Sequence, residues 1–195
     1  MNRLILAYSQ LRGDLPAAQC ERLRAQLPYA RRLRMPISVA AQSRTYLGVA
    51  LACRLLSDAS GRVFEPADLR FTRTGKPYAP GGPAFSITHA GNWVLCALAA
   101  AGAVGIDAEE RGAARMSVDA LAIWTAQEAT VKAAGATLAE LNEVQVRARR
   151  TCFRGRSWYC RTPRLRAALI VRVVTEQRVT QMRLRPVPSE SVLVA

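Results

Sequence analysis

The stretch Val104-Gly105-Ile106-Asp107-Ala108-Glu109 reads as a strand with two unlike faces. Side chains alternate along a strand, so Val104, Ile106 and Ala108 point one way, into a core. Gly105, Asp107 and Glu109 point the other way, and the glycine is expected to leave room on that face for a bulky anion. Carboxylates two positions apart on a strand have Cα atoms roughly 6.8 Å apart and can converge on one hard cation, which takes oxygen ligands. Solvated acids at a strand end produce the same pattern, so the segment gains meaning only from its neighbours.

Downstream, Val118 to Ala134 reads as a helix stopped by Gly135. Within it runs Trp124-Thr125-Ala126-Gln127-Glu128-Ala129-Thr130-Val131-Lys132. Glu128 and Lys132 are four apart and share a face, with Trp124 one turn earlier, so that face is expected to look toward protein. One reading is an exposed ion pair worth roughly 0.2–0.5 kcal/mol. The other makes Glu128 a third metal ligand and Lys132 a phosphate contact.

Upstream, Met1 to Tyr8 reads as a first strand and Val39 to Leu56 as a helix ended by Ser57-Asp58-Ala59-Ser60-Gly61. Leu69 to Thr72 is a short strand, followed by a loop punctuated by Gly75-Lys76-Pro77 and Pro80-Gly81-Gly82-Pro83. Phe85 to His89 and Trp93 to Ala99 form a hairpin around Ala90-Gly91-Asn92. Beyond the helix, Val144 to Ala148 is a short strand, and Leu165 to Thr175 with Thr180 to Arg185 reads as a second hairpin. The order of elements repeats. We expect an α+β fold of two similar halves related by a pseudo-two-fold, residues 1–103 and 104–195, joined near Ala100 to Ala103. The site is expected in the cleft between them.

Half of the 195 residues are hydrophobic, enough for a buried core. No apolar run is long enough to span a bilayer, and the apolar N-terminus is too brief for a signal peptide, which points to the cytoplasm. Five cysteines with wide spacings and no C-x-x-C argue against a disulfide framework or a zinc site. The net charge of +14 favours polyanionic partners, and basic residues are dense from Arg147 to Arg166. Yet 26 of the 28 basic residues are arginine, a bias so general that it marks no binding stripe. It does make the rare residues informative. Lys76 and Lys132 are candidates for positions that need a compact ammonium, and His89 is the sole histidine.

Thr74-Gly75-Lys76-Pro77 combines a glycine that permits close backbone approach with a charge. In Phe85-Ser86-Ile87-Thr88-His89, the side chains of Ser86, Thr88 and His89 are donors for a phosphate or an adenine edge. Together with Ser43-Arg44-Thr45 and the two central segments, in this order and spacing, these motifs resemble the 4′-phosphopantetheinyl transferase superfamily. The match is to the longer, pseudo-dimeric type that activates peptide, polyketide and fatty-acid synthases, over roughly residues 40–135. The aspartate strand followed by the W-x-x-x-E-x-x-x-K helix is specific as a pair and weak singly.

The resemblance implies an enzyme that moves the phosphopantetheine arm of coenzyme A to a carrier-protein serine and releases 3′,5′-ADP. It implies Mg²⁺ (or Mn²⁺) held by Asp107, Glu109 and Glu128, with Glu128 or a metal-bound water taking the serine proton. It assigns Lys132 to the phosphates and leaving group, and Arg44, Lys76 and His89 to the nucleotide's phosphates. The backbone at Lys76–Pro77 and Thr88–His89 would flank adenine. It further implies a monomer whose partners are coenzyme A and an acyl or peptidyl carrier protein, with neither nucleic acid nor membrane. Three departures stand out: Gln127 where the family has lysine, Ser86 and Thr88 where it has asparagine and serine, and a short interval from Glu109 to Trp124. The first removes a cation from the expected phosphate site. Two other readings remain: a coenzyme A-binding protein of the same fold without transfer activity, and, from charge alone, a basic nucleic-acid-binding protein.

Overall fold

The computed structural model describes residues 2–112, 116–165 and 168–193. Met1 of the expected first strand, residues 113–115 of the Glu109–Trp124 interval, residues 166–167 of the expected strand from Leu165, and residues 194–195 lie outside them.

The elements follow in the order β1 (Arg3–Gln10), α1 (Ala17–Gln26), α2 (Tyr29–Arg32), α3 (Val39–Ser60), β2 (Arg70–Phe71), β3 (Pro77–Tyr78), β4 (Ala84–Ala90) and β5 (Trp93–Ala99). Then come β6 (Val104–Glu110), α4 (Val118–Ala134), β7 (Gln145–Arg147), β8 (Arg150–Phe153), β9 (Arg156–Arg161), β10 (Leu169–Thr175), β11 (Gln181–Pro186) and α5 (Glu190–Leu193). One sheet has the order β11-β1-β5-β4, the other β6-β10-β9-β8-β7, and β2 pairs with β3. The fold is mixed α+β.

Alternation along the strands stacks these elements into layers. Val94, Cys96 and Leu98 of β5 pack with Leu47, Leu51 and Leu55 of α3 in one core. Leu95, Ala97 and Ala99, from the opposite face of the same strand, join Val104, Ile106, Val171 and Val173 in a core between the two sheets. The outer face of the second sheet buries Phe153, Trp158 and Val174 against Ala126, Ala129 and Ala133 of α4. The result is helix, sheet, sheet, helix. β5 is apolar throughout because both its faces are covered.

Both long helices start on a serine cap. Ser38 Oγ accepts from Ala41 N at 3.3 Å, and Ser117 Oγ from Ala120 N at 3.2 Å. Each ends on a left-handed glycine, Gly61 or Gly135. The first helix outruns the expected end at Leu56. Ser57 and Ser60 lie inside it, with their hydroxyls donating to the carbonyls of Cys53 and Leu56, and left-handed Gly61 ends it.

The expected hairpin of Leu165–Thr175 with Thr180–Arg185 does not form. Both sides of β10 are taken, by β6 and β9. The chain instead crosses to the first sheet, where β11 lies parallel to β1 and brings Met182 and Leu184 to the core between the sheets. Thr180 fixes the crossing, with its backbone N–H and its hydroxyl both donating to Asn2 O at 3.0 Å. The short strand expected at Val144–Ala148 is β7, and β8 and β9 continue from it as an antiparallel meander.

Candidate active site

β4 and β6 are edge strands of different sheets, and they face each other. Two side chains of β4 tie the edges together. Ser86 Oγ accepts from Ile106 N at 3.2 Å, and Thr88 Oγ1 donates to Asp107 Oδ1 at 3.0 Å. These hydroxyls are buried and serve the joint between sheets. Ser86 thus holds β6, and it is not among the residues that line the cavity described next.

A cavity of about 340 Å³ opens where this joint meets α3 and α4. That lies within the roughly 300–1,000 Å³ of small-molecule sites. Its carboxylates are Asp107 and Glu109 from β6 and Glu128 from α4. Its cations are Arg44 from α3, Lys132 from α4 and Arg31 from α2, with His89 beside them at the end of β4. Val49, Phe71, Ile87 and Pro77 form an apolar wall. The resemblance-derived residues Arg44, Pro77, Thr88, His89, Asp107, Glu109, Glu128 and Lys132 thus line one space.

Asp107 is the most enclosed of the acids, at 2% exposure. Its Oδ1 accepts from Lys132 Nζ at 2.5 Å, while its buried Oδ2 has no hydrogen-bond partner. Lys132 Nζ also lies 3.5 Å from Glu128 Oε2. The helical Glu128–Lys132 pair is therefore not a solvated surface pair; it faces a strand carboxylate. Burial first, and then the charge of Asp107, raise the Glu128 carboxyl above its ordinary value, with Lys132 opposing. Burial, Asp107 and Glu128 raise Glu109 in the same way. Burial, followed by the charges of Arg44 and Lys132, lowers the His89 imidazole.

Gly105 has a different use from the one expected. A Cβ there would lie 2.0 Å from Ala129 O and 2.4 Å from Ala133 N, both backbone atoms of α4. The missing side chain lets helix and strand touch rather than making room for an anion. The contact brings Glu128 and Lys132 within reach of Asp107.

Lys76 is not brought into the cavity. Its ammonium donates to Lys132 O at 2.5 Å, Val104 O at 3.0 Å and Ala133 O at 3.3 Å. The last carbonyls of a helix lack i+4 donors within it and attract a cation. Lys76 thus fastens the 72–77 loop to α4 and β6, and only its neighbours Gly75 and Pro77 reach the cavity wall. Burial pushes its amine down to about 8.

Gln127 likewise looks elsewhere: its Nε2 donates to Val144 O at 3.3 Å. The cation expected to be missing from the phosphate site is a residue of the opposite helix face. Trp124 is 38% exposed, so the start of that helix face meets solvent and not protein as expected.

Arg31 was not singled out by sequence. It stacks over Phe71 at 5.8 Å, and burial lowers its pKa. Nothing local distinguishes it from the other arginines, because α2 is a single turn placed by tertiary packing. Among the described residues, Arg44 Nε is buried without a hydrogen-bond partner, in a residue that lines the cavity.

Among the described residues, no three His, Cys, Asp or Glu side chains are gathered closely enough to hold a metal as they stand. The donor chemistry nevertheless fits a hard divalent cation: three carboxylates line one cavity, and one of them carries an orphaned buried oxygen. Among the described residues, no helix is long and apolar enough to cross a membrane. The chain matches no protein-family model and no curated protein.

Proposed function

We propose that this protein transfers the 4′-phosphopantetheine arm of coenzyme A to a serine of an acyl or peptidyl carrier protein, releasing 3′,5′-ADP. The observation that carries the proposal is the polarity of a single cavity. Cations Arg31, Arg44 and Lys132 line it together with carboxylates Asp107, Glu109 and Glu128. A substrate with several phosphates and a reacting pyrophosphate needs both.

On this reading Arg31, Arg44 and His89 bind the nucleotide's phosphates, and the apolar wall of Phe71, Pro77 and Val49 receives the base. Asp107, Glu109 and Glu128 would hold Mg²⁺ or Mn²⁺. When bound, the metal neutralises charge on the pyrophosphate. Lys132, now paired with Asp107, would contact the phosphates and offset charge on the departing 3′,5′-ADP. Glu128, or a water on the metal, would accept the proton of the carrier serine. Thr88 holds Asp107 in register throughout.

The reading includes two related α+β halves about a pseudo-two-fold, one carrying α3 and the other α4. It describes a cytoplasmic monomer whose partners are coenzyme A and a carrier protein rather than nucleic acid. Coenzyme A binding without transfer is the alternative suggested by Gln127. That side chain lies on Val144 O, away from the cavity, and does not favour it.

Incubation with coenzyme A, Mg²⁺ and a panel of apo carrier proteins tests the proposal by mass spectrometry. The expected result is a phosphopantetheine mass gain on at least one carrier. Intact coenzyme A binding with no gain on any carrier would leave the binding-only alternative.

A further inference from the structure

The arginine-dense segment noted in the sequence folds into a second concave surface that the proposed function does not use. It is a depression of about 660 Å³ at the β7–β9 end of the second sheet, and it shares no lining residue with the first cavity. Three segments far apart in sequence meet there. Arg149 comes from the β7–β8 turn and Arg150 from the start of β8, Arg161 and Arg164 from the end of β9 and beyond, and Arg178 from the β10–β11 crossing.

These five arginines line the depression, and among the described residues its lining contains no aspartate or glutamate. Among the described residues none of the five takes part in a salt bridge. The acids Glu140 and Glu176 are paired with Arg154 and Arg156 instead. Two of the five are held in place: Arg150 Nη1 donates to Ser157 Oγ at 3.2 Å, and Arg161 Nη2 donates to Val179 O. An arginine-rich composition accounts for scattered surface charge. It does not account for five like charges converging in one hollow without a counter-charge, where mutual repulsion is unfavourable unless an anion offsets it.

We propose that this depression binds a compact anion carrying several phosphate groups. Guanidinium forks match phosphate oxygens two at a time. The aromatic ring of the site, Tyr159, is covered by Arg150 at 4.3 Å. It therefore offers no bare platform for a stacked base, which single-strand nucleic-acid sites use. The proposal stands independently of the transfer reaction.

The test uses the full chain and inorganic triphosphate as probe, by titration calorimetry at about 0.15 M salt. Wild type is expected to show saturable binding. Arg44→Gln, which weakens phosphate binding in the first cavity, should retain the saturable class of binding that the depression supplies. The triple variant Arg149→Gln/Arg164→Gln/Arg178→Gln should weaken it at least about tenfold with an unchanged melting temperature. Should the triple variant fail to fold, the single Arg178→Glu change in the exposed crossing is expected to weaken binding in the same direction. The proposal is overturned by absence of saturable binding, by loss in Arg44→Gln with retention in the depression variants, or by a single-stranded oligonucleotide binding more tightly than triphosphate at the same salt.

Discussion

The Lys132 ammonium lies 2.5 Å from Asp107 Oδ1 and 3.5 Å from Glu128 Oε2, so one cation from a helix joins its own helix to a strand carboxylate. It therefore competes with any divalent cation for the same oxygens. Lys132→Met is expected to raise the Mn²⁺ affinity of the protein without coenzyme A by about tenfold, read by electron paramagnetic resonance of the unbound ion. Asp107→Asn should abolish that affinity while the circular dichroism spectrum stays unchanged. Equal Mn²⁺ binding in wild type and both variants would remove the metal from this cavity.

Gly105 carries the close contact between β6 and α4. In Gly105→Ala the new methyl meets helix backbone, which cannot swing aside like a side-chain end. The expected loss is roughly 2–3 kcal/mol in urea denaturation. A loss under about 0.5 kcal/mol, the ordinary range of surface changes, would show that the contact is looser than described.

Lys76 should behave as a fastener. Burial lowers its amine from 10.5 to about 8, while three carbonyl acceptors favour its charged form. Between those two pH values the unfolded chain holds more protons than the native one, so this group makes stability rise with pH across the window. Below about 8 both states are charged and the burial penalty is present in full. Lys76→Met should flatten the rise, measured as the difference between wild-type and variant unfolding curves from about pH 7.5 to 10.5. Parallel curves would contradict the placement of the ammonium.

Arg31 and Arg44 reach the cavity from different helices. Replacing either by glutamine is expected to weaken 3′,5′-ADP binding about tenfold or more, as loss of a charge-assisted contact does. Gln127→Lys should leave that affinity unchanged, because position 127 faces Val144 O. If Gln127→Lys tightened binding as much as the arginine changes loosened it, the helix face would be misassigned.

Much of the site was legible in the sequence because its order is local. Asp107 and Glu109 share a face by strand alternation, and Glu128 and Lys132 by helical spacing, whatever the rest of the chain does. The strands of the β4–β5 hairpin and both long helices follow from equally local patterns and caps. Other features depended on which surfaces meet. Gly105 reads as open space until α4 lies on it, and Lys76 reads as a phosphate contact until the end of α4 supplies two carbonyls and β6 a third. Arg31 is one arginine among 26 until α2 turns it toward Phe71. β11 reads as half of a hairpin until β10 has given both its edges away. The sequence by itself determined the residue types and their faces. The tertiary structure alone decided which donors and acceptors were already occupied, since hydrogen bonds and close packing between distant segments leave no periodic trace along the chain.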